Sequence, residues 1–168
     1  MVGISVPIVN LPREPRRIDK RVGESGEAMS TPSQEDYLEA IWVLTDEKGY
    51  ARVTDLAERL LISPASASKM VRRLHDAGLL TYERYRGFSF TPQGRRTGRL
   101  LYARHQILER LLTQLALGSR EDIYRIVEGI EHHFDVTRLD QIGRLVSYID
   151  AHPDWWAKFL EDPPASAR

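Results

Sequence analysis

The residues best equipped for chemistry lie in Glu128-Gly129-Ile130-Glu131-His132-His133. Glu128, Glu131 and His132 stand at i, i+3 and i+4, which on a helix is one face. Asp36 and Glu39 form a second acidic pair at i, i+3. Both sets interrupt apolar stripes: Tyr37, Leu38 and Ile41 flank the pair, and Ile126, Val127 and Ile130 flank the triad. His105 falls in a third stripe, with Leu101, Leu108 and Leu112. Carboxylates near a core are costly unless they are paired or bind a metal. Carboxylates and imidazoles converging from three helices match a divalent-metal site. The set is rich in oxygen and free of sulfur, which favours harder ions such as Mn²⁺ or Fe²⁺. Zn²⁺ binds such ligands more tightly, so a preference for manganese has to come from geometry and supply.

Plainer readings exist for each part. Acidic pairs at this spacing are common on solvated helix faces, and near a helix N-terminus the dipole favours them. A single histidine such as His105 is more often a polar core or surface residue than a ligand. His133 points about 100° away from His132 and is left out of the set. His75 and His152 read as surface residues. An enzyme is the competing class. The motif is not His-Glu-x-x-His, so a zinc protease is excluded. A carboxylate-bridged dimetal hydrolase stays open, although no Gly-rich phosphate loop or nucleophile elbow accompanies the carboxylates.

A second group of residues suits a polyanion. Lys+Arg and Asp+Glu are 24 each in 168 residues, so the net charge is zero. Its distribution is uneven: residues 1–50 carry net −3, residues 51–104 net +7 and residues 105–168 net −4. A basic middle between acidic ends suggests a nucleic-acid module, or simply a solvated basic face. Within it, Ser63-Pro64 opens a helix whose apolar face is Ala67, Met70, Val71 and Leu74. Pro64, Ala65, Ser66, Ser68, Lys69, Arg72 and Arg73 lie off that face. Small side chains at Ala65, Ser66 and Ser68 let the backbone approach DNA, and Lys69 and Arg72 can reach bases or phosphates. Arg84, Tyr85 and Arg86 mark the tip of a short hairpin, suited to backbone or minor-groove contact. Arg95, Arg96 and Arg99 extend the basic stretch.

Local signals place these residues on elements. Thr31 is read as an N-cap, with Pro32 at the first helical position and Gln34 completing a capping box; the helix runs to Gly49. Thr54 is read as the cap of a short second helix, broken at Ile62-Ser63-Pro64. Ser63 caps the third, which stops at Gly78, a glycine just past a helix end. Strands are expected at Leu79–Arg84 and Phe88–Thr91. Thr91-Pro92 opens a long helix to about Leu115. Ser119 opens another covering Ile123–His133, and Asp135 a last one over Leu139–Ile149, ended by Pro153.

The chain has no cysteine, which excludes disulfides and thiolate ligands. No apolar run reaches the ~18 residues of a membrane-spanning helix. Met1–Asn10 is weakly apolar but lacks a basic n-region, so a signal peptide is not expected and the cytoplasm is.

At this point the residues resemble a known family. Thr31-Pro32-Ser33, Glu35-Asp36-Tyr37, Glu39, Glu47–Val53, Lys69-Met70-Val71, Tyr85-Arg86-Gly87, Arg104-His105 and Val127–His133 carry the resemblance. They are similar to the diphtheria toxin repressor family of metal-dependent repressors, in its manganese transport regulator branch. The likeness runs from Met29 to about Ile149, about 120 of 168 residues. It implies a mainly α fold: an N-terminal winged helix-turn-helix with a small β-hairpin wing, then an all-helical metal-binding and dimerisation domain. It implies a binuclear site at Asp36, Glu39, His105, Glu128, Glu131 and His132, holding two Mn²⁺ per subunit. The iron branch uses a methionine where Asp36 stands and a cysteine where Glu128 stands; an iron-responsive member is therefore the second reading.

The expected organisation is a disordered tail over 1–28 (with Met29 as an alternative start), a DNA-binding domain over 29–98, a helical domain over 99–152 and a C-terminal tail over 153–168. The expected partners are double-stranded operator DNA and a second copy of the chain, with no membrane and no small-molecule substrate. The implied mechanism is allosteric. Metal binding would restrict how two reading heads sit in the dimer, so that they match half-sites about one DNA turn apart or a multiple of it. Leu111, Leu112 and Leu115, with Ile142, Leu145, Val146 and Ile149, are candidate dimer surfaces.

Overall fold

The computed structural model describes residues 33–83 and 86–161. They are mostly helical, with one two-stranded antiparallel sheet, and divide into two compact units at Arg99–Leu100. The expected tail at 1–28, the Thr31-Pro32 start, Arg84 and Tyr85 of the wing, and 162–168 lie outside the described residues.

The first unit opens with α1 (Gln34–Lys48). Its N-cap is Ser33, not Thr31, and the box partner is Asp36, not Gln34. Ser33 Oγ accepts from the Asp36 amide at 3.3 Å and Asp36 Oδ2 accepts from the Ser33 amide at 2.6 Å. A carboxylate at the third helical position is a stronger acceptor than an amide and suits the helix dipole, which explains the shift. The second helix, α2 (Val53–Arg59), also starts earlier than expected. Asp55 Oδ2 accepts from the Arg52 amide at 3.3 Å, while Thr54 Oγ1 turns to Asp55 instead of capping.

The third helix, α3 (Pro64–Asp76), begins as the sequence indicates, with Ser63 Oγ accepting from the Ser66 amide at 3.1 Å. Gly78 follows its end at φ +73°, a conformation a Cβ would strain. Strands β1 (Leu80–Glu83) and β2 (Gly87–Phe90) pair Leu80 with Phe90 and Tyr82 with Phe88. Ala51 joins β2 by a bridge to Phe88, with both backbone bonds at 2.8–2.9 Å. Gly87 sits against this bridge: a Cβ there would stand 2.1 Å from the Ala51 carbonyl oxygen. Tyr37, Leu38, Ile41, Leu56, Val71, Leu74, Leu80 and Phe88 form the core of the unit. Each such side chain contributes roughly 1.5–3 kcal/mol by leaving water.

Helix α4 (Pro92–Gln114) opens on Thr91, whose Oγ1 accepts from the Gly94 amide at 3.0 Å. In the second unit it is followed by α5 (Arg120–Ile130), capped by Ser119, and then by a 3₁₀ turn over Glu131–His133. The expected helix through His133 therefore ends early. Asp135 already caps α6 (Val136–Ala151), so the chain must leave the helix; Phe134 is extended and its amide bonds Glu131 O at 3.0 Å. Residues 153–161 are not a tail but a helix, α7 (Pro153–Glu161). Pro153 takes the first helical position, where its missing N–H costs nothing. Leu108, Leu112, Ile123, Val127 and Leu139 make the core of this unit, with Ile107, Phe134 and Ile142 against it. Of the candidate dimer residues, Leu112, Val146 and Ile149 are buried within the unit, whereas Leu145 is exposed.

Candidate metal centre and nucleic-acid interface

In the second unit α4 and the end of α5 bring three candidate ligands together. His105 Nδ1 lies 2.9 Å from Glu131 Oε2 and 3.5 Å from Glu128 Oε1. His105 is there because Leu108 and Leu112 of α4 pack with Val127 and Ile123 of α5, and His105 lies one turn before Leu108. Tyr124 packs beside its ring at 5.5 Å. Glu131 is wholly buried, and its Oε1 accepts no hydrogen bond among the described residues. A carboxylate in that position is costly unless positive charge compensates it. With Nδ1 donating to Glu131, the imidazole keeps its lone pair on Nε2, as in the carboxylate–histidine pairs that support metal ions. The donors fit a hard or borderline divalent ion.

Glu128 and Glu131 both approach His105 Nδ1, as their i, i+3 spacing leads one to expect, while Glu131 and His132 lie on the 3₁₀ turn that follows α5. Glu131 turns inward, Glu128 is half-buried and His132 is exposed. His132 is tied to the others through Arg104, whose Nη2 lies 3.4 Å from His132 Nδ1 and 4.0 Å from Glu131 Oε1. Arg104 is 6% exposed and had no assigned role. The signal was present in the spacing: Leu101, Arg104, His105 and Leu108 fall on one stripe of α4, and a cation there requires a buried anion.

Asp36 and Glu39 belong to the first unit, one turn apart on α1. Asp36 is engaged in the cap, with Ser33 Oγ donating to Oδ1 at 2.8 Å. Glu39 is half-buried. Burial, helped by the Asp36 charge, pushes the Tyr37 hydroxyl above its ordinary value of 10.0, so the group stays a neutral donor.

The candidate DNA face is also in the first unit. On α3, Ala67, Val71 and Leu74 are buried, while Pro64, Ala65, Ser66, Lys69, Arg72 and Arg73 are exposed and Ser68 is half-buried. A helix with its apolar face anchored and its N-terminal turn and cations outward is the form that enters a major groove. Arg86, just before β2, is exposed, with its guanidinium 6.0 Å from the Tyr50 ring centroid. Arg95, Arg96 and Arg99 are exposed on the first half of α4.

Comparison with known proteins agrees with this arrangement. Residues 29–88 match the family described as "Iron dependent repressor, N-terminal DNA binding domain". Residues 91–155 match "Iron dependent repressor, metal binding and dimerisation domain". The chain is 52% identical over 120 residues to the HTH-type transcriptional regulator MntR of Geobacillus kaustophilus, covering 71% of this chain and 84% of that one. It is 48% identical over 122 residues to MntR of Bacillus subtilis, covering 73% and 85%. Among solved structures, the metal-dependent transcriptional regulator MtsR superposes with a TM-score of 0.65 at 21% identity, covering 71% of this chain and 55% of that one. The manganese regulator SloR gives 0.63 at 24%, covering 71% and 55%. This chain spans about half the length of those two structures, which carry the fold alone. By its two family domains and its curated relatives, the chain belongs to the diphtheria toxin repressor family of metal-dependent transcriptional regulators, alongside the MntR proteins.

Proposed function

We propose that this chain is a manganese-responsive, DNA-binding transcriptional repressor that acts in the cytoplasm as a homodimer and controls manganese homeostasis. It is a regulator, as the names of its relatives state, and not an enzyme. The observation that carries the metal part is the wholly buried Glu131, bonded to His105 on one oxygen and, among the described residues, without a hydrogen bond on the other.

His105, Glu128, Glu131 and His132 would hold the metal, with Asp36 and Glu39 of α1 as the remaining ligands; six donor residues suit two ions per subunit. A bound divalent ion supplies the positive charge that lets these carboxylates share one site. Asp36 and Glu39, drawn into that site, tie α1 and with it the reading helix α3 to one arrangement. Pro64, Ala65, Ser66, Ser68, Lys69, Arg72 and Arg73 then meet the operator in register, with Arg84, Tyr85 and Arg86 of the wing beside them. Metal and DNA affinity become reciprocally coupled. The absence of cysteine and the oxygen ligand at Asp36 favour manganese over iron as the activating ion.

Fluorescence anisotropy tests this reading, with DNA from upstream of the host's manganese importer gene and Mn²⁺, Fe²⁺, Zn²⁺ or chelator at fixed salt. Tight binding with Mn²⁺ that chelator reverses is expected. Equal binding with and without metal overturns the sensor reading.

A further inference from the structure

Arg104 lies among the proposed ligands and is itself no ligand: a guanidinium has five donors and no lone pair to give. Its Nη2 is 3.4 Å from His132 Nδ1 and 4.0 Å from Glu131 Oε1, and its side chain is 7% exposed against 1% for that of Glu131. The 4.0 Å approach is too long for a hydrogen bond, so Arg104 acts on Glu131 as a charge. Its contact with His132 uses the Nδ1 lone pair. His132 Nδ1 and Glu131 Oε1, both within 4.0 Å of the Arg104 guanidinium, are donor atoms a cation would seek.

We infer that Arg104 is a built-in counter-cation that holds the metal-free centre together and sets its metal affinity by competing with the incoming ion. In the metal-free protein Arg104 offsets the buried Glu131 charge, so the end of α5 and its 3₁₀ turn stay packed. When a divalent ion enters, the same positive charge opposes it, and Arg104 must release the His132 ring if Nδ1 is to serve. Affinity is thereby held below what the carboxylates alone would give, and a sensor needs such restraint to read changes in supply. The inference rests on the metal-centre reading above and adds a positioning residue to it.

The sign of two effects separates this role from simple packing. Arg104→Met keeps an unbranched side chain and removes the charge. In chelator, its thermal unfolding midpoint is expected below that of the original protein, because Glu131 loses its compensating charge. In calorimetric titration of the metal-depleted dimer, its Mn²⁺ dissociation constant is expected to tighten by about tenfold, since a positive charge beside the ion is gone. Arg104→Lys keeps the charge, and its affinity should stay near the original. A residue that only packs would weaken both stability and Mn²⁺ binding when replaced by Met. Weaker or unchanged Mn²⁺ affinity in Arg104→Met overturns the inference; so does a tightening in Arg104→Lys as large as in Arg104→Met. Original protein that takes up no Mn²⁺ overturns the metal-centre reading itself, and this inference with it.

Discussion

His105 Nδ1 and Glu131 Oε2 face each other at 2.9 Å, one from α4 and one from the turn after α5, with side chains 2% and 1% exposed. Glu131→Gln preserves the volume and a hydrogen-bonding oxygen while removing the charge. The folded dimer is expected to persist and the gain in DNA affinity on adding Mn²⁺ to disappear. Anisotropy with Mn²⁺ and with chelator, alongside a sedimentation check of the dimer, measures both. A variant that responds to Mn²⁺ as the original does would remove Glu131 from the ligand set.

Asp36→Met replaces a hard oxygen by a soft thioether. Relative to Mn²⁺, Fe²⁺ should become the better activator of DNA binding, with anaerobic titrations of each ion as the readout. The same change removes the capping-box carboxylate at the start of α1, so some loss of stability, about 1 kcal/mol, accompanies it. An unchanged activation ratio in a destabilised protein would leave Asp36 a cap and nothing more.

Lys69 and Arg72 are exposed on the outward face of α3. If Lys69 meets a phosphate, Lys69→Ala weakens binding to operator and unrelated duplex alike and lowers the log–log salt slope by about one. If Arg72 reads a base, Arg72→Ala costs about 1–3 kcal/mol on the operator alone and relaxes specificity at one position. Salt titrations of both variants on two duplexes separate the roles.

Leu74 anchors α3 from the inside and is wholly buried. Leu74→Ala should destabilise the first unit by about 2–5 kcal/mol, the transfer loss plus the cavity left behind. Urea unfolding in chelator measures it without the contribution of metal.

Asp122 is exposed, yet hydrogen bonds from the Ser119 side chain and backbone hold its carboxyl below the ordinary value of 3.8. A depressed folded value means that the cap stabilises α5 above the unfolded pKa and is lost as pH falls through the folded one. Amide exchange at the start of α5 should accelerate in that acid range. Ser119→Ala should bring fast exchange to neutral pH and flatten the acid response; a response of unchanged size would show that another group titrates.

Where a single local device decides the geometry, the sequence was legible. Ser63-Pro64, Gly78 and Thr91-Pro92 each set a helix boundary through their own backbone chemistry, and each stands where the local signal puts it. Thr31 and Ser33 are both competent caps, and only the pairing with Asp36 selects the second. The 3₁₀ turn at Glu131 was hidden for a related reason. The i, i+3, i+4 argument assumes that 3.6 residues per turn continue, while Asp135, two residues past His133, demands an exit. Pro153 looked like a stop because a proline ends one helix and begins another with equal ease. Arg104 was visible as a residue but not as a member of the centre, since its meaning depends on Glu131, 27 positions away.

The bridge between Ala51 and Phe88 gives the wing a fixed mounting. At the mounting, no side chain larger than hydrogen fits on Gly87, and a one-residue slip would turn Phe88 out of the core. The strand pairing ends at Glu83 and Gly87. Exchanges between those two positions are expected to leave the Ala51–Phe88 bridge in place. On the proposed role of the wing in reading DNA, grafting a longer or differently charged loop between Glu83 and Gly87 is expected to alter operator preference, with anisotropy on operator variants as the readout.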